Sequence, residues 1–207
     1  MANEIEKIEP PALPLATGTY SRQYQDQTNN ILRLFFNRIT SLVRALLSTN
    51  DGGRFLYFPR GLFYSTTNQT AVATNTGYPV EMEVTYIGNG ISVQGTNNSR
   101  VTVSADGIYN FQLTLMTQHT NSSDVTIWTW INKSGSVVAY GGQKQSVKGN
   151  GDHTVFWNFS IDMVSGDYIE MYWATNDIAL SLHSEAPTSP HPGVPSVILA
   201  VSFVSNL

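Results

Sequence analysis

The residues of this chain that could do chemistry are few and widely spaced. Four histidines occur, at His119, His153, His183 and His191. Zinc sites bring imidazoles together at short spacings, such as an i, i+4 pair on a helix. His183 and His191, the closest two, are separated by a proline-containing stretch. Each of the four reads as a loop or surface residue. Asp152-His153 lies near many serines, but no Gly-x-Ser-x-Gly elbow exists to present a nucleophile. Paired carboxylates could support glycoside hydrolysis. Glu81 and Glu83 share one strand face, and Asp162, Asp167 and Glu170 cluster, yet acids two apart on a strand usually form a solvated face. The loops at Asp124 and Asp152 lack the dense acidic pattern of a calcium loop. Gly142-Gln-Lys144 and Lys148-Gly-Asn-Gly151 read as hairpin loops, since no helix follows to make a phosphate cradle. With no cysteine, thiolate nucleophiles, thiolate zinc sites and disulfides drop out. The expectation is a protein that is not an enzyme and uses no cofactor or metal.

Composition narrows the classes further. A chain of 207 residues suffices for one large β domain with a short appendage. Charged residues make up 13%, about half the usual share. Hydrophobic residues reach 41%, with 9 Phe, 10 Tyr and 4 Trp, which excludes disorder throughout. The net charge of −4 argues against nucleic acid as partner, because phosphate neutralisation needs clustered Lys and Arg. Met1 to Glu9 is acidic and followed by prolines, unlike a signal peptide. Six of the seven arginines precede residue 61, so a basic N-terminal part adjoins an acidic remainder.

The elements that must position these groups follow from periodicity. Residues 1–19 contain Pro10, Pro11 and Pro14 and no repeat, which suits an extended or disordered arm. Residues 20–48 read as an amphipathic helix. Leu32, Phe35, Ile39, Leu42 and Leu46 are spaced 3, 4, 3 and 4, and Ile31, Phe36, Val43 and Ala45 widen the stripe. A stripe wider than a dimer seam favours three or more helices, or packing on another surface. Arg33, Arg38 and Arg44 interrupt a run already too short to span a bilayer. A helix lying on a membrane surface and one packed on its own domain are the alternatives. Residues 49–53 form a linker, and residues 54–207 a head of about ten strands. Turn signals such as Gly88-Asn-Gly90, Asp106-Gly107 and Ser165-Gly-Asp167 separate candidate strands at 54–64, 80–87, 90–94, 100–104, 108–118, 124–132, 136–142, 153–163, 167–175, 178–184 and 195–205. Such spacing implies an antiparallel sandwich or barrel, not βαβ units.

Facing adds a second constraint. Tyr109, Phe111, Leu113 and Leu115 alternate with polar residues, as one buried and one wet face require. In 124–132, Val125, Ile127 and Ile131 oppose Trp128 and Trp130. In 167–175, Ile169, Met171 and Trp173 oppose Tyr168 and Tyr172, and the last strand also places Ile198 opposite Val197 and Leu199. A sandwich buries one face of each sheet. Apolar residues on both sides therefore imply that an outer face is covered, most economically by a second copy.

Val101-Thr-Val-Ser-Ala-Asp-Gly-Ile-Tyr-Asn-Phe-Gln112 resembles the signature strand of tumour-necrosis-factor-like and complement-globular-head jelly rolls. Ser165-Gly-Asp-Tyr-Ile-Glu-Met-Tyr172 resembles their late Gly-Asp strand, and Ser196–Val204 their final one. Phe55-Leu-Tyr-Phe-Pro-Arg-Gly-Leu-Phe-Tyr64, Trp173-Ala-Thr-Asn-Asp177, Tyr20–Asn37 and Pro195–Leu199 are similar to virion proteins of tailed phages. Together these cover about residues 20–207. The resemblance implies a mainly β jelly-roll sandwich, preceded by an arm and a helix, that forms a homotrimer in the virion. Tyr109, Phe111 and the Gly166-Asp167 turn would be fold determinants. Trp128, Trp130, Tyr168, Tyr172 and Ile198 are the trimer-interface candidates. The helix seam of Leu32, Phe35, Ile39, Leu42 and Leu46 would form a short stalk, and Pro10, Pro11, Pro14, Arg22, Arg33 and Arg38 would anchor it to another virion protein, foremost the capsid protein.

The expected function is a non-enzymatic decoration, cement or short head-fibre protein. The alternative is a tail-fibre or spike-tip module whose loops at 65–78, 117–124, 143–152 and 185–194 bind a host receptor or surface glycan. Neither nucleic acid nor a membrane is an expected partner.

Overall fold

Two-residue alternation builds the larger part of the molecule. In the computed structural model the chain divides into Met1–Tyr57 and Phe58–Leu207. The structure describes residues 11–13, 18–19, 21–47 and 58–207, with the backbone alone for 44–47.

The second unit contains β1 (Arg60–Ser65), β2 (Gln69–Thr70), β3 (Tyr78–Pro79), β4 (Val84–Asn89), β5 (Ile91–Gln94), β6 (Arg100–Val103), β7 (Gly107–His119), β8 (Val125–Lys133), β9 (Ser136–Val147), β10 (Gly151–Met163), β11 (Tyr168–Thr175), β12 (Leu180–Leu182) and β13 (Val197–Ser205). One sheet runs β4-β1-β13-β7-β10, with β12 beside the far end of β7 and β2 beside β12. The other runs β5-β6-β11-β8-β9, with β3 on the β6 side of β11. Every pairing is antiparallel. The principal strands are thus ordered β1-β13-β7-β10 in one layer and β6-β11-β8-β9 in the other. Chain-adjacent strands fall mostly in opposite layers, which is the nested Greek-key order of a jelly roll.

The core lies between these layers. Tyr109, Phe111, Leu113 and Leu115 of β7 are buried, and Phe111, Leu113 and Leu115 face Val201, Leu199 and Val197 across β13. Ile127, Ile131, Ile169, Met171 and Trp173 supply the opposing layer. Each such side chain contributes about 1.5–3 kcal/mol on leaving water. The Tyr109 hydroxyl donates to Ala105 O at 2.8 Å, so its polar tip is also satisfied. The turn before β11 closes on Gly166, at φ +91°, and on Asp167, whose carboxylate accepts from Val164 N and Ser134 Oγ. Those bonds, the Val164 N–H foremost and the nearby Lys133 ammonium last, hold its carboxyl below the usual range.

Several boundaries differ from the sequence expectation. β9 continues to Val147, so Gly142-Gln-Lys144 is strand and the loop expected over 143–152 shrinks to the turn between β9 and β10. Its polar composition misleads because β9 is a sheet margin, where few side chains leave water. The strand expected over 80–87 begins at Val84, and 69–70 and 78–79, expected as loop, form short β2 and β3. Of the run expected over 54–64, residues 54–57 lie outside the described residues, and β1 begins at Arg60.

In the first unit, α1 spans Arg22–Leu47. Ser21 caps it, its hydroxyl accepting from Tyr24 N at 3.4 Å. Leu32, Phe35, Ile39 and Leu42 are half-buried, while Leu34, Phe36 and Val43 are exposed, so apolar surface extends beyond a narrow seam. Arg22 faces Asp26 at 3.8 Å, and Arg33 donates to Asn30 Oδ1 at 2.9 Å. Arg38 lies on the same helix and Pro11 is half-buried, whereas Pro10, Pro14 and the Leu46 side chain lie outside the described residues. Among the described residues, no helix is long and apolar enough to cross a membrane.

Gly107 begins β7 under the Phe203 ring. A Cβ there would lie 2.3 Å from that ring and 2.8 Å from Ser205 O. Gly107→Ala is predicted to cost about 1–3 kcal/mol in urea denaturation. The same change placed in Phe203→Ala should cost less, because the clashing ring is gone.

Candidate interaction surfaces

The two layers present different outer faces. On the β6-β11-β8-β9 sheet, Trp130 of β8 pairs directly with Tyr172 of β11, the rings 5.6 Å apart and 16° from parallel. Trp128 sits opposite Ala174, which is small and buried. The Trp130 indole reaches across β11 to Gly77, where a Cβ would approach it to 2.7 Å. Lys144 lies 5.8 Å from the Trp128 ring centre, and Arg100 lies 4.8 Å from that of Tyr168. Arg100 also pairs with Glu170 at 3.1 Å. Trp128, Trp130, Tyr168 and Tyr172 are therefore on one face, each half-buried, with Trp130 stacked on Tyr172 and cations beside Trp128 and Tyr168.

Ile198, the fifth candidate, is on the opposite side of the molecule. It lies on the outer face of the β1-β13-β7-β10 sheet, between Tyr64 and Thr114, with Phe156 beyond Thr114. The adjacent row is Leu62, Ala200, Gln112 and Asn158. These two rows contain no charge. Phe156 is 67% exposed, although β10 otherwise presents Asn158, Ser160 and Asp162 on that side. Its place was readable from alternation, since Val155, Trp157, Phe159 and Ile161 take the inward side. Beside it the sandwich is open: β9 and β10 diverge, and Trp157, Phe159 and Ile161 are only partly covered. Gln143 Nε2 donates across this gap to Phe156 O at 3.3 Å. Four residues of β9, 138–141, bulge opposite Ile131, and Tyr140 stands there at φ +60° with its ring fully exposed. A bulky residue rarely adopts that backbone.

Several of the residues considered for chemistry have structural partners. His119 is buried, not a surface residue, because the inward parity of β7 from Tyr109 reaches it at the strand's end. Its Nε2 lies 3.1 Å from Asp177 Oδ2, which also accepts from Asn121 Nδ2 at 2.8 Å, while Asp177 Oδ1 accepts from Ala179 N at 2.9 Å. His153 and His183 are half-buried and His191 exposed. Partial burial pushes the Glu83 carboxyl up, but bonds from Ser65 and from the Thr66 backbone and hydroxyl outweigh it and hold it below the usual range. That is the wrong direction for a general acid. The backbone N–H of Glu81 is held by Gln69, and Asp162 shares Lys133 with Asp167. Among the described residues, no group of three or more His, Asp or Glu could hold a metal ion. No protein-family model matches this sequence, and no curated protein is significantly similar to it.

The Asp177 carboxyl is held below the usual range, first by the Ala179 N–H, then by Asn121 and His119. A depressed folded-state pKa gives stability that is present above the unfolded carboxylate range and lost as pH falls through the folded value. Wild type should therefore lose stability on acidification more steeply than Asp177→Asn. Denaturation midpoints across the acid range check this, and parallel slopes would contradict it.

Proposed function

We propose that this chain is a non-enzymatic structural protein of a tailed-phage virion. It assembles as a homotrimer and serves as a decoration, cement or short head-fibre protein. One observation carries the self-association: the jelly roll leaves the uncharged Ile198–Phe156 region of one outer sheet face uncovered beside an open margin. Desolvating an uncharged face incurs no charge penalty, and its exposed apolar groups gain from cover. The Trp128–Tyr172 face is a weaker candidate, because Trp130 and Tyr172 already cover each other and burying it would desolvate Lys144 and Arg100. Tyr140 and Val137, exposed at the margin, extend the favoured surface. The wide apolar stripe of α1 fits three or more helices better than two.

Attachment to the particle, foremost to the capsid protein, belongs to the N-terminal region, where the arginines concentrate. The virion role itself rests on the sequence resemblance. Full-length protein should co-sediment with purified phage particles, and a chain lacking residues 1–47 should not, while keeping a β-rich circular dichroism spectrum. Full-affinity particle binding by the truncated chain would remove the anchor assignment.

Ile198→Asp is predicted to reduce the size of the assembly on gel filtration without unfolding the head, and Trp130→Ala to leave that size unchanged. The opposite pattern would move the interface to the other sheet.

A further inference from the structure

At one end of the sandwich the segment after β1 and the segment between β12 and β13 enclose a cleft of about 810 Å³. Its walls are built. Residues 183–196 fold back as a finger closed by Glu185 N to Val194 O at 2.8 Å, Val194 N to Glu185 O at 2.9 Å and the bridge between Thr188 and His191. The finger is stitched to the other wall: Ser184 N and Oγ donate to Asn68 Oδ1 at 2.8 and 2.9 Å, and Ser196 Oγ donates to Thr67 O at 2.7 Å. Asn68 is thereby fixed in orientation, since a backbone N–H must meet its oxygen. Its Nδ2 is left as a donor with no partner among the described residues. The Glu185 carboxylate likewise has no side-chain partner among them.

The lining decides the ligand class. Thr66, Thr67, Asn68 and Ser184 offer donors and acceptors, whereas the Tyr64 ring and Pro187 offer apolar faces. No lysine or arginine lines the cleft, so nothing there compensates a phosphate, sulfate or carboxylate. A sugar ring presents alternating hydroxyl edges and C–H faces, which match such a surface. The volume lies within the range of about 300–1,000 Å³ usual for ligand sites. We propose that this cleft binds an uncharged oligosaccharide, with Tyr64 stacking on a sugar face and Asn68 Nδ2 and the Glu185 carboxylate bonding its hydroxyls. The site meets the proposed copy-to-copy surface only at Tyr64, which stands beside Ile198, while its hydrogen-bonding residues lie on loops beyond the end of β1.

The test titrates the full-length protein, by isothermal calorimetry and by saturation-transfer NMR, with three probe sets. These are neutral oligosaccharides (glucan, mannan and galactan fragments), an anionic set (hyaluronan and sulfated fragments) and spermidine. At least one neutral probe should bind. Glu185→Ala should weaken it about tenfold, with unchanged melting temperature and assembly size. Tyr64→Ala should abolish the sugar C–H transfer signal. Phe156→Ser, which alters the proposed copy-to-copy surface, should leave binding intact. Binding by the anionic set or by spermidine alone would overturn the proposal. So would no neutral binding at millimolar concentration, or neutral binding indifferent to Glu185→Ala.

Discussion

β7 is flanked along its whole length, by β10 on one side and by β13 and then β12 on the other. The two-residue period of its side chains therefore sets the facing of three neighbouring strands. Tyr109, Phe111, Leu113 and Leu115 cannot turn inward without turning Asn110, Gln112 and Thr114 outward. Paired residues share a face, so Ile198 and Phe156 are carried outward in the same row as Thr114. A one-residue slip would expose four large core side chains and bury three polar ones. The outward facing of Ile198 and Phe156 is thus tied to the inward facing of Phe111, Leu113 and Leu115.

Much of this was legible in the sequence. An antiparallel sandwich or barrel, the helix and nearly all strands follow from alternation, heptad spacing and turn residues, because each is a local signal, whereas the jelly-roll order came from the resemblance of whole segments. What escaped was decided by neighbours distant in the chain. β9 reads as loop from Gly142 onward, since only pairing with Trp128 and Trp130 makes it a strand. His119 reads as a surface histidine until the parity of β7 is followed to its end, where Asp177 waits from another loop. The criterion for the five interface candidates is that they lie opposite core residues in their strands. It could not tell which sheet each strand would join, so it grouped Ile198 with four aromatics on the far side of the molecule.

The division of labour between the outer faces is chemical. One carries aromatics whose surfaces are taken up by each other, by Arg100 and by Lys144. The other carries Ile198, Ala200 and Phe156 among uncharged amides and hydroxyls. Low charge, met first as a property of the whole composition, resolves into an uncharged patch of defined position. The pinned loops at one end add a third surface, concave and free of cations. In the proposed reading, copy-to-copy contact on a sheet, attachment through the N-terminal region and recognition at the loop end draw on separate residues except Tyr64, which the first and last share.

Self-association is the step on which this arrangement turns. Sedimentation equilibrium of the full-length chain at micromolar concentration measures it without regard to shape. The account predicts a single species of about three times the 22.8 kDa of one chain. A stable species of one chain's mass, unchanged over a hundredfold range of concentration, would contradict it.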